Sequence, residues 1–457
     1  MSWMSWTDEC LELLAEELSD DTQRATSQLL GCGKDIVASL LSAIKKPGQD
    51  THNYNEALES LIDMAYEKMS SGVAGSCWPR LYTDACIIRS LVPLDTSSSR
   101  AAIARLDRAI IVAGAAGEGR LDLIHTLIRR IQFEFLTFTQ DLSRRFSKSR
   151  VGTTLDPRLS NFALESSLRD IPALDTPPSF TTFQTTYNRH PFVLHRFASA
   201  WPAMNEHPWS SAAYLRSVSG PARIVPVEVG ADYRSDDWTQ QFMSWDDFLS
   251  NLGLDDNESP AYADNLTERE VRANQVLYLA QHSLLLQFPD LSRDIVIPDY
   301  VYTCPTAPSN YPRYEPPGND EQLVINAWLG PSGTTSPAHT DPYYNIYVQV
   351  VGRKTVWLAP PSVNQYMYAY KDGDAPPTRK SSNPSSKDEN STSMSNTSQV
   401  DVLATGKNAE RFPQFWSEVV PHAMSAMLEP GDMLFIPPGW WHAMRAEETS
   451  FSVSMWF

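Results

Sequence analysis

Asn345-Ile-Tyr-Val-Gln-Val-Val351-Gly352-Arg353-Lys354-Thr-Val-Trp-Leu358 decides how the C-terminal part of this 457-residue chain folds. Residues 345 to 351 alternate as a strand does, Gly352-Arg353 can turn the chain, and Lys354 to Leu358 reads as the return strand. Downstream, Pro430-Gly431 is a turn, Met433 to Ile436 a strand, and Pro437-Pro438-Gly439 a second turn that delivers Trp440-Trp441-His442. Phe451-Ser-Val-Ser-Met-Trp456 is one more strand. Short strands punctuated by Pro and Gly turns predict a double-sheet jelly roll.

Immediately before this hairpin runs Ala327-Trp-Leu-Gly-Pro-Ser-Gly-Thr-Thr-Ser-Pro-Ala-His339-Thr-Asp341-Pro. On a strand, residues i and i+2 share a face, so His339 and Asp341 can bind one metal from a single strand, with a distant strand supplying His442. Two imidazoles and one carboxylate are the set that holds non-haem Fe(II) and leaves coordination positions open. Alone, a His-x-Asp pair or a strand-borne histidine is most often structural. The strand-and-turn setting is what gives the trio weight.

Several stretches carry a resemblance in a consistent order: Arg223-Ile-Val-Pro-Val-Glu-Val-Gly230, Tyr278-Leu-Ala-Gln-His282, Ile297-Pro-Asp-Tyr300, Ser336-Pro-Ala-His339, Gly352-Arg-Lys354, Asn396-Thr-Ser-Gln-Val-Asp401 and Phe451-Ser-Val-Ser454. Residues from about 170 to 457 resemble a jumonji-C oxygenase domain, of the branch that includes lysine-specific demethylase 8. The resemblance implies a cupin-like barrel, with Fe(II) on His339, Asp341 and His442 as catalytic and metal-binding residues. It implies O2 and 2-oxoglutarate as cosubstrates, the latter held by Lys354, Tyr278, Asn345 and Ser336, with Trp328 lining the pocket. A charge-assisted bond from Lys354 to a carboxylate suits that role. Glu228, Tyr233, Trp238, Gln281 and Trp456 resemble substrate-cleft residues, and an acidic, aromatic cleft suits a cationic side chain. On sequence alone Trp328 and Trp456 also read as ordinary core, and Glu228 as an outward strand residue. His190, His195, His282 and His422 lack ligand spacing with the trio and read as structural or exposed.

The expected fold class is α+β, an N-terminal all-α domain followed by a double-stranded β-helix. Residues 1 to 150 read as amphipathic helices, with apolar stripes at Cys10 to Leu18, Ile36 to Ile44, Ala57 to Ile62, Ala101 to Ala113 and Leu121 to Phe138. This region is expected to be structural or to bind another protein. Residues 151 to 180 read as a linker, 181 to 457 as the oxygenase domain, and 371 to 398 as a disordered insertion rich in Ser, Asn, Pro and Lys. Arg144-Arg-Phe-Ser-Lys-Ser-Arg150 is a short basic run at the boundary, more in keeping with a solvated linker than a nuclear signal.

Composition narrows the partners. Formal net charge is −18, which argues against non-specific nucleic-acid or acidic-membrane binding and permits basic protein partners. Five cysteines form no regular framework, no apolar run is long enough to span a membrane, and the N-terminus shows no secretory pattern. A nuclear or cytoplasmic location is the expectation. The leading functional expectation is hydroxylation of a protein side chain, with arginyl favoured because no chromatin-reader module is visible. The alternatives are histone lysine demethylation through N-methyl hydroxylation, a non-catalytic binding or scaffold role, and oxidation of a small molecule.

Overall fold

A computed structural model describes residues 5–19, 28–45, 51–73, 75–92, 94–140, 164–230, 232–234, 238–254, 276–371, 394–404, 406 and 409–457. The basic run at 144–150 and most of the expected insertion, 372–393, lie outside the described residues.

The N-terminal region is helical, as its stripes predict. Helices Trp6–Ser19, Lys34–Lys45, Thr51–Ser70, Ser99–Ala113 and Arg120–Leu136 account for the five stripes. Leu11, Leu14 and Leu18 are buried at the expected spacing, while Leu13 points to solvent. Sequence periodicity missed the helix Cys77–Leu91. Its residues are buried almost all round, Arg80, Asp84 and Ser90 included, so it has no polar face for a moment to detect. Asp84 is paired from two sides: Arg80 Nε donates to it at 2.7 Å and Arg120 Nε to its other oxygen at 2.6 Å.

The C-terminal region is the expected double sheet. One sheet runs β1 (Arg169–Asp170), β11 (Met424–Leu428), β10 (Lys354–Ala359), β13 (Trp441–Ala446), β8 (Thr335–Thr340). The other runs β2 (Ala173–Leu174), β3 (Phe192–Leu194), β12 (Met433–Ile436), β9 (Asn345–Val351), β14 (Ser450–Trp456), β7 (Val324–Gly330), β6 (Leu277–His282), β4 (Ile224–Val229), β5 (Thr239–Ser244). β9, β10, β12 and β14 are buried along their whole length, which suits strands packed on both faces.

Two expectations need correction here. β9 and β10 are not a paired hairpin: β9 pairs with β12 and β14, and β10 with β11 and β13. The Gly352-Arg353 turn instead carries the chain from one sheet to the other. Gly352 has φ 68°, and a Cβ there would run into the Thr449 carbonyl oxygen, so the corner needs glycine. Lys354, the first residue after the crossing, consequently enters the space between the sheets. The second correction concerns the linker, whose described part from residue 164 is built into the barrel. β1 pairs in parallel with β11 and β2 with β3, and Trp357 Nε1 donates to the Ser166 carbonyl at 2.9 Å. Two-residue edge strands in a polar, Pro-rich stretch leave no periodicity to read.

The end of the expected insertion packs against the barrel: Thr397 and Ser398 are buried. Thr340 N donates to the Asn396 carbonyl at 3.0 Å and Ser398 N to the Ala338 carbonyl at 2.8 Å, laying this segment along β8. Among the described residues no helix is long and apolar enough to cross a membrane.

Candidate metal centre and its cavity

β8 and β13 are antiparallel neighbours, and their register sets His339 opposite His442. The ring centroids lie 4.2 Å apart. Asp341 lies one residue beyond the end of β8, not within it, and Gly439 N donates to its carbonyl at 2.8 Å. That contact ties Asp341 to the Pro437-Pro438-Gly439 turn that delivers His442. Asp341 oxygens stand 3.8 Å from His339 Nε2 and 3.4 Å from His442 Nε2, and one ligand atom from each residue falls within 4.8 Å of the others.

Each imidazole is oriented from behind. His339 Nδ1 lies 2.7 Å from the Pro337 carbonyl and His442 Nδ1 3.1 Å from the Trp440 carbonyl. A carbonyl only accepts, so Nδ1 carries a hydrogen in each ring and Nε2 faces the centre, where the neutral ring offers a lone pair to a metal. Burial, reinforced by the charge of His442, pulls the His339 pKa down to about 4, which keeps it a neutral donor. Burial works against a charged Asp341, but the His442 hydrogen bond and the two imidazoles outweigh it and lower its pKa. Burial likewise opposes a charged His442, and Asp341 outweighs it, raising the pKa of His442. Two nitrogens and one carboxylate converging on one point form a donor set that suits a divalent first-row ion with open positions.

Tyr278, Trp328, Ser336, Asn345, Tyr347 and Met444 join the trio in lining one small cavity between the sheets. Behind two of these lining residues stands Lys354, 1% exposed, whose Nζ donates to Tyr347 Oη at 2.8 Å and Tyr278 Oη at 3.3 Å. Burial lowers its pKa to about 7. Among the described residues no carboxylate pairs with this ammonium, and a buried, unpaired cation is costly unless something else neutralises it. Ser336 hydrogen-bonds Tyr278 and Ser452 hydrogen-bonds Tyr347. Asn345 Oδ1 is buried without a hydrogen-bond partner. An anion with further polar groups would complete this end of the cavity.

The description "cupin-like domain" matches residues 178–457. The chain belongs to that family. "Lysine-specific demethylase 8" of Danio rerio is 29% identical over 412 residues, covering 88% of this chain and 87% of the relative. "Jumonji C domain-containing protein 5" of Drosophila melanogaster is 35% identical over 303 residues, 66% of this chain and 63% of the relative. "Lysine-specific demethylase JMJ30" of Arabidopsis thaliana is 29% identical, covering 88% and 85%. The protein is thus a jumonji-C enzyme of the 2-oxoglutarate-dependent oxygenase type, as its motifs imply.

Of the remaining predicted residues, Trp328 lines the cavity, whereas Glu228, Tyr233, Trp238, Gln281 and Trp456 are not among its lining residues. Glu228 is not outward-facing: it stands directly across from Tyr278 in the β4–β6 pair, so the two share a face. Trp238 Nε1 donates to Glu228 Oε2 at 3.2 Å. Tyr233 hydrogen-bonds Thr397, and its pKa is pushed up to about 12, chiefly by burial. Trp328 donates to Ser454 Oγ at 2.9 Å. Trp456 pairs in register with Asn345 and packs on Tyr343, ring centroids 5.3 Å apart, with its Nε1 unpartnered. Gln281 is exposed at φ 49°, where β6 shifts register against β7 and re-aims its side chains. The sequence reading missed Tyr347 and Met444. Both carry a usable signal, since each sits two residues after a predicted site residue on its strand, Asn345 and His442. The other histidines are structural or exposed as expected: His282 bonds Gln287 at 2.7 Å, His195 bonds Asp432 at 3.1 Å, and His422 is exposed.

Proposed function

We propose that this protein is an Fe(II)- and 2-oxoglutarate-dependent dioxygenase that hydroxylates a carbon next to nitrogen on a cationic protein side chain, the N-methyl group of a lysine being favoured. One observation carries the reading: a buried ammonium with no carboxylate partner among the described residues donates to Tyr347 and Tyr278, which line the same cavity as a two-histidine, one-carboxylate centre. His339, Asp341 and His442 would hold the iron. Lys354, with Tyr278, Tyr347, Ser336 and Asn345, would hold the far carboxylate of 2-oxoglutarate, its charge neutralising Lys354 and its oxygens accepting from the hydroxyls. Trp328 and Met444 would wall the cavity against water.

When bound, iron, O2 and 2-oxoglutarate together supply decarboxylation of the keto acid to succinate and CO2, coupled to insertion of one oxygen into a C–H bond. The chain's own part is placement. Glu228, braced by Trp238, presents negative charge beside Tyr278, and with Tyr233, Trp456 and Gln281 would form a polar and aromatic mouth suited to a cation. Hydroxylation of an N-methyl carbon gives a carbinolamine that loses formaldehyde. The names of the zebrafish and Arabidopsis relatives support this outcome over arginyl hydroxylation. Arginyl hydroxylation is the second reading, favoured by the Glu228 carboxylate, which matches a forked guanidinium.

The test supplies the purified protein with Fe(II), ascorbate, 2-oxoglutarate and a library of methyl-lysine and arginine peptides, and reads products by mass spectrometry. Loss of one methylene from a methyl-lysine is the expected result, and gain of one oxygen on an arginine establishes the second reading. Succinate formation with neither change moves the substrate to another class. Absence of succinate overturns the oxygenase reading in favour of a binding protein.

A further inference from the structure

One carboxylate of the helical region holds the ends of two barrel strands at once. Asp107, on the helix Ser99–Ala113, is fully buried. Its oxygens accept from Arg223 Nε at 3.0 Å, Arg223 Nη2 at 2.7 Å, Ile224 N at 2.9 Å and Gln287 Nε2 at 2.8 Å. Ile224 opens β4. Gln287 passes the contact on: its Nε2 donates to the Ile224 carbonyl at 2.7 Å, and its Oε1 lies 2.7 Å from Nε2 of His282, the last residue of β6. Arg223 also donates to the Gln287 carbonyl at 3.0 Å and lies over the Phe288 ring, 4.5 Å from its centroid. The helix Arg120–Leu136 seats beside this knot, with Gln132 Nε2 donating to the Ser219 and Pro221 carbonyls at 3.1 and 2.8 Å.

β4 and β6 are the strands on which Glu228 and Tyr278 face each other. From Ile224 the knot runs along β4 to Glu228, and from His282 back along β6 to Tyr278. A hydrophobic seam would hold helices on a barrel without fixing angle or register. Four donors directed at one buried carboxylate fix both, and a buried charge is tolerated only where that geometry is complete.

We propose that Asp107 is a positioning residue for the oxygenase site: from the helical region it sets the placement of β4 and β6, and through them of Glu228 and Tyr278. The identity of what Tyr278 positions rests on the function proposed above; the mechanical link does not. The helical region is, in this view, part of the enzyme's active architecture.

The test is Asp107→Asn in the full chain, which keeps volume but turns one acceptor into a donor facing Arg223 and Ile224. Amide hydrogen exchange is expected to speed up at least tenfold in residues 224–229 and 277–282, with 354–359 and 441–446 as protected as in the wild type. Affinity for 2-oxoglutarate should fall at least tenfold while Mn(II) binding to the metal centre is unchanged. Uniform loosening of the barrel, or unchanged exchange in β4 and β6, would overturn the proposal. Should Asp107→Asn not fold, His282→Leu cuts only the β6 branch; it should loosen 277–282 and spare 224–229, and wild-type exchange in 277–282 would equally overturn it. A wild type that binds no 2-oxoglutarate would refute the functional reading alone, because the exchange pattern is scored without it.

Discussion

His339 and His442 face each other in register across β8 and β13, and each ring is fixed by the carbonyl two residues before it, Pro337 for one and Trp440 for the other. The same local device thus aims both Nε2 atoms inward from opposite strands. Asp341 is tied through its own carbonyl to the Gly439 turn, so backbone contacts hold all three residues. Such preorganisation lets ligand loss be separated from loss of fold.

His339→Ala and Asp341→Ala should each reduce succinate formation by at least about a hundredfold, since outer partners of metal ligands alone cost 10- to 100-fold. Circular dichroism and melting temperature should stay near the wild type, with metal content lost. Wild-type turnover in either variant removes that residue from the centre.

Metal binding should release a proton. In the metal-free protein Asp341 raises the pKa of His442 against the effect of burial. The pair therefore adds stability that is fully present below the unfolded histidine value and is lost as pH rises through the raised folded value. A metal must displace that proton, so Mn(II) affinity should increase with pH across this window and level off above it. Calorimetry in buffers of different ionisation enthalpy checks this, and pH-independent binding would contradict it.

Lys354→Ala should weaken 2-oxoglutarate binding by about ten- to a hundredfold, as expected for a hydrogen bond to a charged group of about 1.5–3 kcal/mol. Mn(II) affinity should hold. Because the folded pKa of Lys354 is depressed to about 7, its burial penalty is largest below that pH. The folded state then binds fewer protons than the unfolded one at higher pH, so Lys354's penalty to stability shrinks as pH rises from about 7 towards the ordinary lysine range. Loss of that pH dependence in Lys354→Ala is the second readout.

Glu228→Gln should raise KM for a cationic peptide by about tenfold while leaving substrate-free decarboxylation of 2-oxoglutarate intact. Equal loss of both would place Glu228 at the cofactor rather than at the substrate.

The candidate site was legible where chemistry leaves a motif, in the His-x-Asp pair and the Pro-Pro-Gly turn before His442; Lys354 was legible only through the family resemblance. The site was less so where the information is tertiary. Lys354 looked like a hairpin residue because local sequence does not say that β9 and β10 join different sheets. The helix Cys77–Leu91 lacked a stripe because it is buried all round. Asp107 gave no signal, since an aspartate in an amphipathic helix reads as its solvated face, and only the fold shows it facing the Arg223 guanidinium. Tyr347 lies within reach of a period-two argument from Asn345.

The position of β14 has a further consequence. It lies between β9 and β7 in the nine-stranded sheet, yet follows every strand it joins. Until residues 450–456 arrive, β9 and β7 each present an unpaired edge, and the sheet is two separate pieces. Barrel assembly is therefore a late, non-local event, slow in the way that pairings of high sequence separation are slow. A chain interrupted after residue 449 would expose two apolar edges open to pairing with other chains, so the completeness of one seven-residue segment governs whether this protein folds or aggregates.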